Sequence, residues 1–165
     1  MRKLLKSILI GILIAILGTS PTFAQTATQE NSHNQNLQEK QQVIVQLYDP
    51  RGNWVADGIL SISNPRNGRI GIYMTTQCHV AVDEIQMDIA VEQYDEDRER
   101  WNQVDYLTYN FYPSGGKPLT EASVDFQLSG HESNCTYRLR GWHTVFVNGN
   151  YEELKSETPG IKITG

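Results

Sequence analysis

Apolar and polar residues alternate with a period of two along most of the chain from Val43 to Ile163. Because successive side chains of a strand point to opposite faces of a sheet, this pattern predicts β-strands with one buried face. In the clearest run, apolar residues alternate with mainly polar ones: Ile85, Met87, Ile89 and Val91 against Gln86, Asp88, Ala90 and Glu92. We therefore predict one apolar and one solvated face for this strand.

Similar alternating segments recur throughout this part of the chain, and no long segment has a helical period. The predicted strands are 43–48, a short 59–63, 70–75, 85–92, 107–111, 122–128, 136–147 and 151–162. Asn148-Gly149 joins the last two and favours a tight hairpin, because both residues tolerate positive φ. Seven or eight short strands predict an all-β, antiparallel two-sheet sandwich of the immunoglobulin-like kind, with a closed barrel as the second choice.

Residues 1–24 have the pattern of a secretory signal peptide. Arg2, Lys3 and Lys6 form a basic segment, and the apolar run Ile8–Leu17 that follows is too short to span a bilayer comfortably. Thr22-Phe23-Ala24 then supplies small residues at the two positions that a signal peptidase reads. We expect cleavage near Ala24 and secretion of an unanchored product, and an uncleaved N-terminal anchor is the alternative.

The chain after the leader divides into a spacer and a domain. Residues 25–42 consist mainly of Gln, Asn, Thr, Ser and Glu. Such a segment buries too little apolar surface to offset the entropy of ordering, so it is predicted to be a disordered polar spacer. The β-sandwich domain is then 43–165, a usual size for one domain with one core.

Removal of the leader makes the protein more acidic. The whole sequence has 14 basic and 19 acidic residues, and the leader contains three of the basic ones and none of the acidic ones. The mature chain therefore has 11 basic and 19 acidic residues and a formal charge of −8. Nucleic acids and anionic membranes are bound mainly by Lys and Arg, so we expect no nucleic-acid partner and no membrane contact beyond the signal peptide.

The two cysteines, Cys78 and Cys135, are predicted to form a disulfide, because an exported protein meets an oxidising environment. Closing a loop of this length would stabilise the fold by roughly 4 kcal/mol on the chain-entropy model. A zinc site that also uses His79 and His131, or a thiol nucleophile, is the alternative. Neither pair has the close ligand spacing of established zinc sites, so we predict the bridge and no metal.

Motifs for catalysis are missing from the sequence, which has no Gly-x-Ser-x-Gly turn, no His-Glu-x-x-His helix and no phosphate-binding glycine loop. Ser129–Ser133 contains a serine, a histidine and a carboxylate, but neighbours on one loop rarely reach triad geometry. Asp83, Glu84 and Asp88 would serve glycoside hydrolysis only as a pair at a set separation. We expect a non-enzymatic protein without a cofactor, and a hydrolase with paired carboxylates is the alternative.

An acidic cluster, Asp95, Glu96 and Asp97, follows the clearest strand. Carboxylate oxygens are calcium ligands, which makes a weak calcium site one interpretation. The spacing matches no EF-hand, however, and basic residues at 98 and 100 mix with the acidic ones. A solvated hairpin tip is the preferred interpretation.

The segment 136–147 is the most distinctive of the chain. Alternation places two sets of residues on its opposite faces: Tyr137, Leu139, Gly141, His143 and Val145 inward, and Arg138, Arg140, Trp142 and Thr144 outward. Arg138, Arg140 and Trp142 form a candidate binding face for a glycan or an acidic partner. The preferred interpretation is that both arginines pair with acidic neighbours such as Asp88, Glu92, Glu152 or Glu153 and stack on Trp142. We expect His143 to be a hydrogen-bonded core residue rather than a catalytic one.

Several segments resemble a family of small secreted proteins of Gram-positive bacteria whose function is unknown. The resemblance covers most of the chain from Asn67 onward and is carried by the leader, 86–104, Asn148-Gly149, 157–163 and, most specifically, the Tyr-Arg-x-Arg-Gly-x-His strand of 137–143. The spacer and 49–63 depart from the family pattern. The resemblance implies a secreted β-sandwich and assigns no catalytic residue.

These observations together predict a secreted protein that acts outside the cell. We expect it to bind another extracellular protein or a cell-wall or surface polymer. Exposed tryptophan at positions 54, 101 or 142 would favour a carbohydrate over a protein as the ligand.

Overall fold

The computed structural model describes residues 41–48 and 52–165. The predicted signal peptide, nearly all of the predicted spacer and the turn at 49–51 lie outside the described residues. The described part of the chain forms nine strands: β1 Gln42–Tyr48, β2 Val55–Ser63, β3 Ile70–Val82, β4 Glu84–Asp95, β5 Arg100–Phe111, β6 Leu119–Leu128, β7 Thr136–Val147, β8 Asn150–Glu157 and β9 Ile161–Lys162. No helix that could cross a membrane occurs among these residues.

The strands form two antiparallel sheets. One sheet has the order β1-β2-β3-β6, and the other has the order β5-β4-β7-β8, with β9 paired to the start of β7. Without β1 and β9, this arrangement is similar to an immunoglobulin-like sandwich, except that β5 pairs with β4 rather than with β6. The prediction of a two-sheet sandwich is confirmed, and in the described residues the sheets do not close into the barrel that was the second choice.

The core lies between the two sheets and consists of the inward residues of the alternating strands. The inward residues of β4 that the sequence pattern identified, Ile85, Met87, Ile89 and Val91, are fully buried. They pack in one cluster with residues from β2, β3 and β7, such as Leu60, Ile72 and Leu139. Burial of an aliphatic side chain of this size contributes about 1.5–3 kcal/mol, so this cluster supplies the main driving force for the fold.

Tyr137 ties the start of β7 to the loop before it. Its side chain is fully buried, and its hydroxyl donates a hydrogen bond to the carbonyl oxygen of Glu132 at 2.9 Å. A tyrosine at the start of this strand that bonds back to the preceding loop is a recurrent feature of immunoglobulin-like sandwiches. The bond satisfies a hydroxyl that would otherwise be costly to bury.

Local residues explain where the C-terminal strands begin and end. The β7–β8 hairpin turns at Asn148 and Gly149, which have φ of 51° and 76°, as the sequence predicted. The single predicted strand 151–162 is in fact two strands, β8 and β9, because Pro159 lacks the backbone N–H needed to continue the ladder. Thr158 uses its hydroxyl to accept a bond from the Leu139 amide at this break.

His143 is a polar side chain buried in the core. Its ring is fully buried and hydrogen-bonds the Thr76 hydroxyl through Nδ1 at 2.9 Å and the Ser156 hydroxyl through Nε2 at 3.0 Å. Gly58 makes room for the ring, since a Cβ at that position would lie 2.9 Å from Nε2. The expectation of a hydrogen-bonded core histidine is confirmed.

The burial of His143 makes the stability of the domain depend on pH. Burial lowers the pKa of His143 from 6.5 to about 4, although the Asp57 carboxylate partly opposes this. Between pH 6.5 and 4, His143 is therefore protonated in the unfolded chain but neutral in the folded one. The free energy of unfolding falls as the pH falls through this range. The loss across this window is about 3 kcal/mol, complete once the pH is below 4.

We expect His143→Gln, which keeps a donor and an acceptor but does not titrate, to flatten the stability curve between pH 6.5 and 4. Urea unfolding of the two proteins at several pH values measures this, and an NMR titration of the His143 ring in the original protein gives its pKa directly. Identical pH dependence in both proteins, together with a ring pKa near 6.5, would contradict the prediction.

Candidate functional site

The candidate site is the solvent-facing side of the five-stranded sheet, which we call the outer face. Strand register places Trp142 between Asp88 of β4 and Lys155 of β8, and Arg140 between Ala90 of β4 and Glu157 of β8. The structure thus brings together the three residues of the predicted binding face, Arg138, Arg140 and Trp142, with acidic residues of both neighbouring strands.

Glu92 is the centre of an ionic cluster on the outer face. Its Oε2 accepts a hydrogen bond from Arg138 Nε at 2.7 Å, and its Oε1 forms an ion pair with Arg140 Nη2 at 2.7 Å. Arg138 also donates through Nη1 to Glu157 at 2.6 Å. Both guanidinium groups are therefore fixed by carboxylates, as the preferred interpretation of this strand expected.

Aromatic rings lie against the same guanidinium groups. Arg138 is 4.6 Å from the ring centre of Trp101, and Arg140 is 5.4 Å from that of Trp142. Tyr106 of β5 continues the aromatic surface, with its ring centre 6.1 Å from that of Trp142. Stacking and ion pairing together hold these side chains in defined positions on the sheet.

The outer residues of β4 are covered, contrary to the prediction of a solvated face. Ala90 has an exposed fraction of 0%, and Asp88 and Glu92 are also buried. Ala90 lies in register between Tyr106 of β5 and Arg140 of β7, and the contact between the Tyr106 and Trp142 rings spans β4, so we attribute the burial of Ala90 to these large side chains. Asp88 accepts hydrogen bonds from Gln86 and Thr108, and burial and the Asp88 carboxylate raise the pKa of Tyr106.

A shallow hollow of about 270 Å³ lies between β7 and β8 on the outer face. Its sides are the paired residues Arg140 and Glu157 and the paired residues Trp142 and Lys155, and the Gly141–Ser156 pair lies between them. This is somewhat smaller than the roughly 300–1,000 Å³ of pockets for drug-sized ligands. The hollow is half-open, so a longer molecule can extend beyond it.

The predicted disulfide is absent from this structure, in which Cys78 and Cys135 are both free. Cys78 pairs with Val55 next to Glu152, while Cys135 immediately precedes β7. Glu152, which marks the position of Cys78, lies opposite Val145. Val145 is ten residues along the chain from Cys135, so the two cysteines are separated by roughly 30 Å at the rise of a strand. A bridge requires Cα atoms within about 7 Å, so the fold keeps the cysteines at opposite ends.

The same separation prevents the alternative zinc site, because His79 adjoins Cys78 and His131 lies near Cys135. His131 contacts Asp105 at 3.4 Å and packs against Tyr137. Within the described ranges, no three His, Cys, Asp or Glu side chains form a group that could hold a metal ion.

The acidic cluster at 95–97 lies at the tip of the β4–β5 hairpin, as the preferred interpretation predicted. The carboxylate of Asp95 accepts hydrogen bonds from the Arg98 backbone and guanidinium and from the Asn102 amide. Burial favours the neutral acid, but these bonds outweigh it and lower the pKa of Asp95. Asp95 therefore serves to shape the turn.

Other candidate catalytic groups do not assemble into a site. Asp83 caps the β7–β8 turn by accepting from the Asn148 amide, and Glu84 accepts from the Tyr112 hydroxyl. His143 and Ser156 are within hydrogen-bond distance, but both side chains are buried.

The sequence identified only part of the outer face. Glu92 was named as one of several acidic neighbours, whereas its role as the shared partner of two arginines depends on register. Tyr106 was missed altogether. Its alternation with Thr108 and Asn110 was the available signal, but only strand pairing shows that it reaches Trp142.

Comparison with known protein families and with curated protein sequences finds no match for this chain.

We expect Glu92→Gln to destabilise the protein by about 2–4 kcal/mol, because it removes the shared charge from a buried cluster and leaves both arginines incompletely paired. The matched control is Glu157→Gln, since Glu157 is 51% exposed and pairs with one arginine. That control is expected to cost no more than about 1 kcal/mol. Urea unfolding measures both, and equal effects would contradict the central role of Glu92.

We also expect both cysteines to be alkylated without a reductant. Burial and the Glu152 carboxylate raise the pKa of Cys78 to about 11, so this thiol should react slowly in the folded state. Mass spectrometry after alkylation in denaturant, with and without prior reduction, should show two modified thiols in both samples. Modification only after reduction would show that the protein contains a bridge.

Proposed function

We propose that this chain is a secreted, non-enzymatic protein that binds an extracellular protein or a cell-surface polysaccharide through the outer face. The observation that carries the proposal is the grouping of Tyr106, Arg140 and Trp142 on one surface, where ion pairs and stacking hold them in place. The leader pattern of residues 1–24 supports the export of the protein.

The composition of this surface favours binding. Trp, Tyr and Arg are the residues most enriched among those that dominate binding energy at interfaces. Tyr106 is 48% exposed, so a large part of its ring is available to a ligand although it packs against Trp142. Because Glu92 holds Arg140 beside Trp142, less side-chain entropy is lost when a ligand binds.

A hydrolase with paired carboxylates is less well supported. Asp88 and Glu92 are the buried acids of the outer face, and they are four residues apart on one strand, or roughly 13 Å. Glycosidase carboxylates are about 5–9.5 Å apart. Both carboxylates are also occupied by hydrogen-bond donors.

The test is retention of the purified protein on isolated bacterial cell-surface material. We expect binding of the original protein and at least a tenfold loss of affinity in Tyr106→Ala and in Trp142→Ala. Tyr112→Ala is the matched control, because Tyr112 is a comparably exposed tyrosine that follows β5 and contacts Glu84 instead.

Thermal unfolding of each variant separates loss of binding from loss of folding. Retention that is equal in all four proteins, or that is absent in the original protein, would contradict a binding role for the outer face.

A further inference from the structure

The charged groups around the hollow between β7 and β8 are balanced by partners of opposite sign. Arg140 pairs with Glu92, Arg138 pairs with Glu92 and Glu157, and Lys155 contacts Glu153 at 3.2 Å. None of these cationic side chains is left unpaired to attract an anionic ligand, and the carboxylates of the same ion pairs would repel it. The arrangement offers many hydrogen-bonding groups with little net charge.

The sides of the hollow combine a flat apolar ring with polar atoms. Trp142 is half-buried, so part of its indole faces solvent beside Arg140, Lys155 and Glu157. The Arg140 side chain is 38% exposed, and its ion pair with Glu92 uses Nη2, so the guanidinium retains further N–H donors. An aromatic ring next to donors and acceptors matches a sugar, which has apolar C–H faces and hydroxyl edges.

Tyr106 extends this surface beyond the hollow. It lies on β5, beside Ala90 of β4, and β4 separates it from β7. Its ring is nevertheless in contact with that of Trp142. The aromatic surface therefore runs across the strands from the hollow towards β5. A polymer that follows this aromatic surface would place one unit in the hollow and the next unit against Tyr106.

We infer that the hollow binds one pyranose unit of an uncharged polysaccharide, which stacks on Trp142 and hydrogen-bonds Arg140, Lys155 and Glu157. This inference rests on the proposed function and specifies its ligand class. A formal charge of −8 on the mature chain accords with it, because a neutral polymer is not repelled by an acidic protein.

The experiment measures binding of the purified protein to a set of neutral oligosaccharides, which comprises glucans, mannans, galactans, xylans and chitin fragments, and to polygalacturonate as the anionic comparison. We expect binding to at least one neutral member and none to polygalacturonate. Affinity for the neutral ligand should change less than twofold between 50 and about 500 mM salt, because no ionic attraction is screened.

Three variants assign the binding to the hollow. Trp142→Ala should lower affinity for the neutral ligand at least tenfold, Trp142→Phe should recover part of the loss because it retains a stacking ring, and Tyr112→Ala should bind normally. Thermal unfolding confirms that each variant is folded.

Binding of polygalacturonate alone, no binding across the neutral set, or neutral binding that Trp142→Ala does not affect would overturn the inference. Capture of a protein from cell-surface material, lost in Trp142→Ala and without neutral glycan binding, would also overturn it. In that last case the proposed binding role of the outer face would stand, so the two failures are distinguishable.

Discussion

The two-sided alternation of β7 is the constraint on which the rest of the structure depends. Its inward residues, from Tyr137 to Val145, complete the core against the other sheet. Its outward residues, Arg138, Arg140 and Trp142, form the middle of the outer face. Because the side-chain period of a strand is two, a slip of one residue would bury the arginines and expose the core. Pairing with β4 on one side and with β8 and β9 on the other fixes the register.

The outer face shows how a sheet can present charged residues in a fixed arrangement. Burying Glu92 costs desolvation energy, which its ion pairs with Arg138 and Arg140, each at 2.7 Å, offset. The small residue Ala90 matters as much, because it lets Tyr106, Arg140 and Trp142 lean together over the centre of the sheet. The gain is a surface whose aromatic and polar groups are positioned before any ligand arrives, which lowers the entropic cost of binding.

The core contains a related compromise at His143. A buried imidazole is less favourable than an apolar residue unless both nitrogens are bonded. Thr76 supplies one bond from β3 of the opposite sheet, and Ser156 supplies the other from the neighbouring strand β8. The network joins β3, β7 and β8, and Gly58 of β2 accepts the ring against its backbone. Its specific geometry therefore favours one packing of the two sheets, at the cost of stability in acid.

The sequence by itself determined the fold class, most of the strands, the Asn148-Gly149 turn and the inward position of His143, because these follow from local periodicity and backbone preference. It did not determine that the outer side of β4 is covered, nor that 151–162 divides into β8 and β9. Only the tertiary structure decided that Glu92 joins Arg138 to Arg140, that Tyr106 reaches Trp142, and that Cys78 and Cys135 lie at opposite ends. These are contacts between strands, and their register depends on the packing of the whole domain rather than on neighbours in the chain.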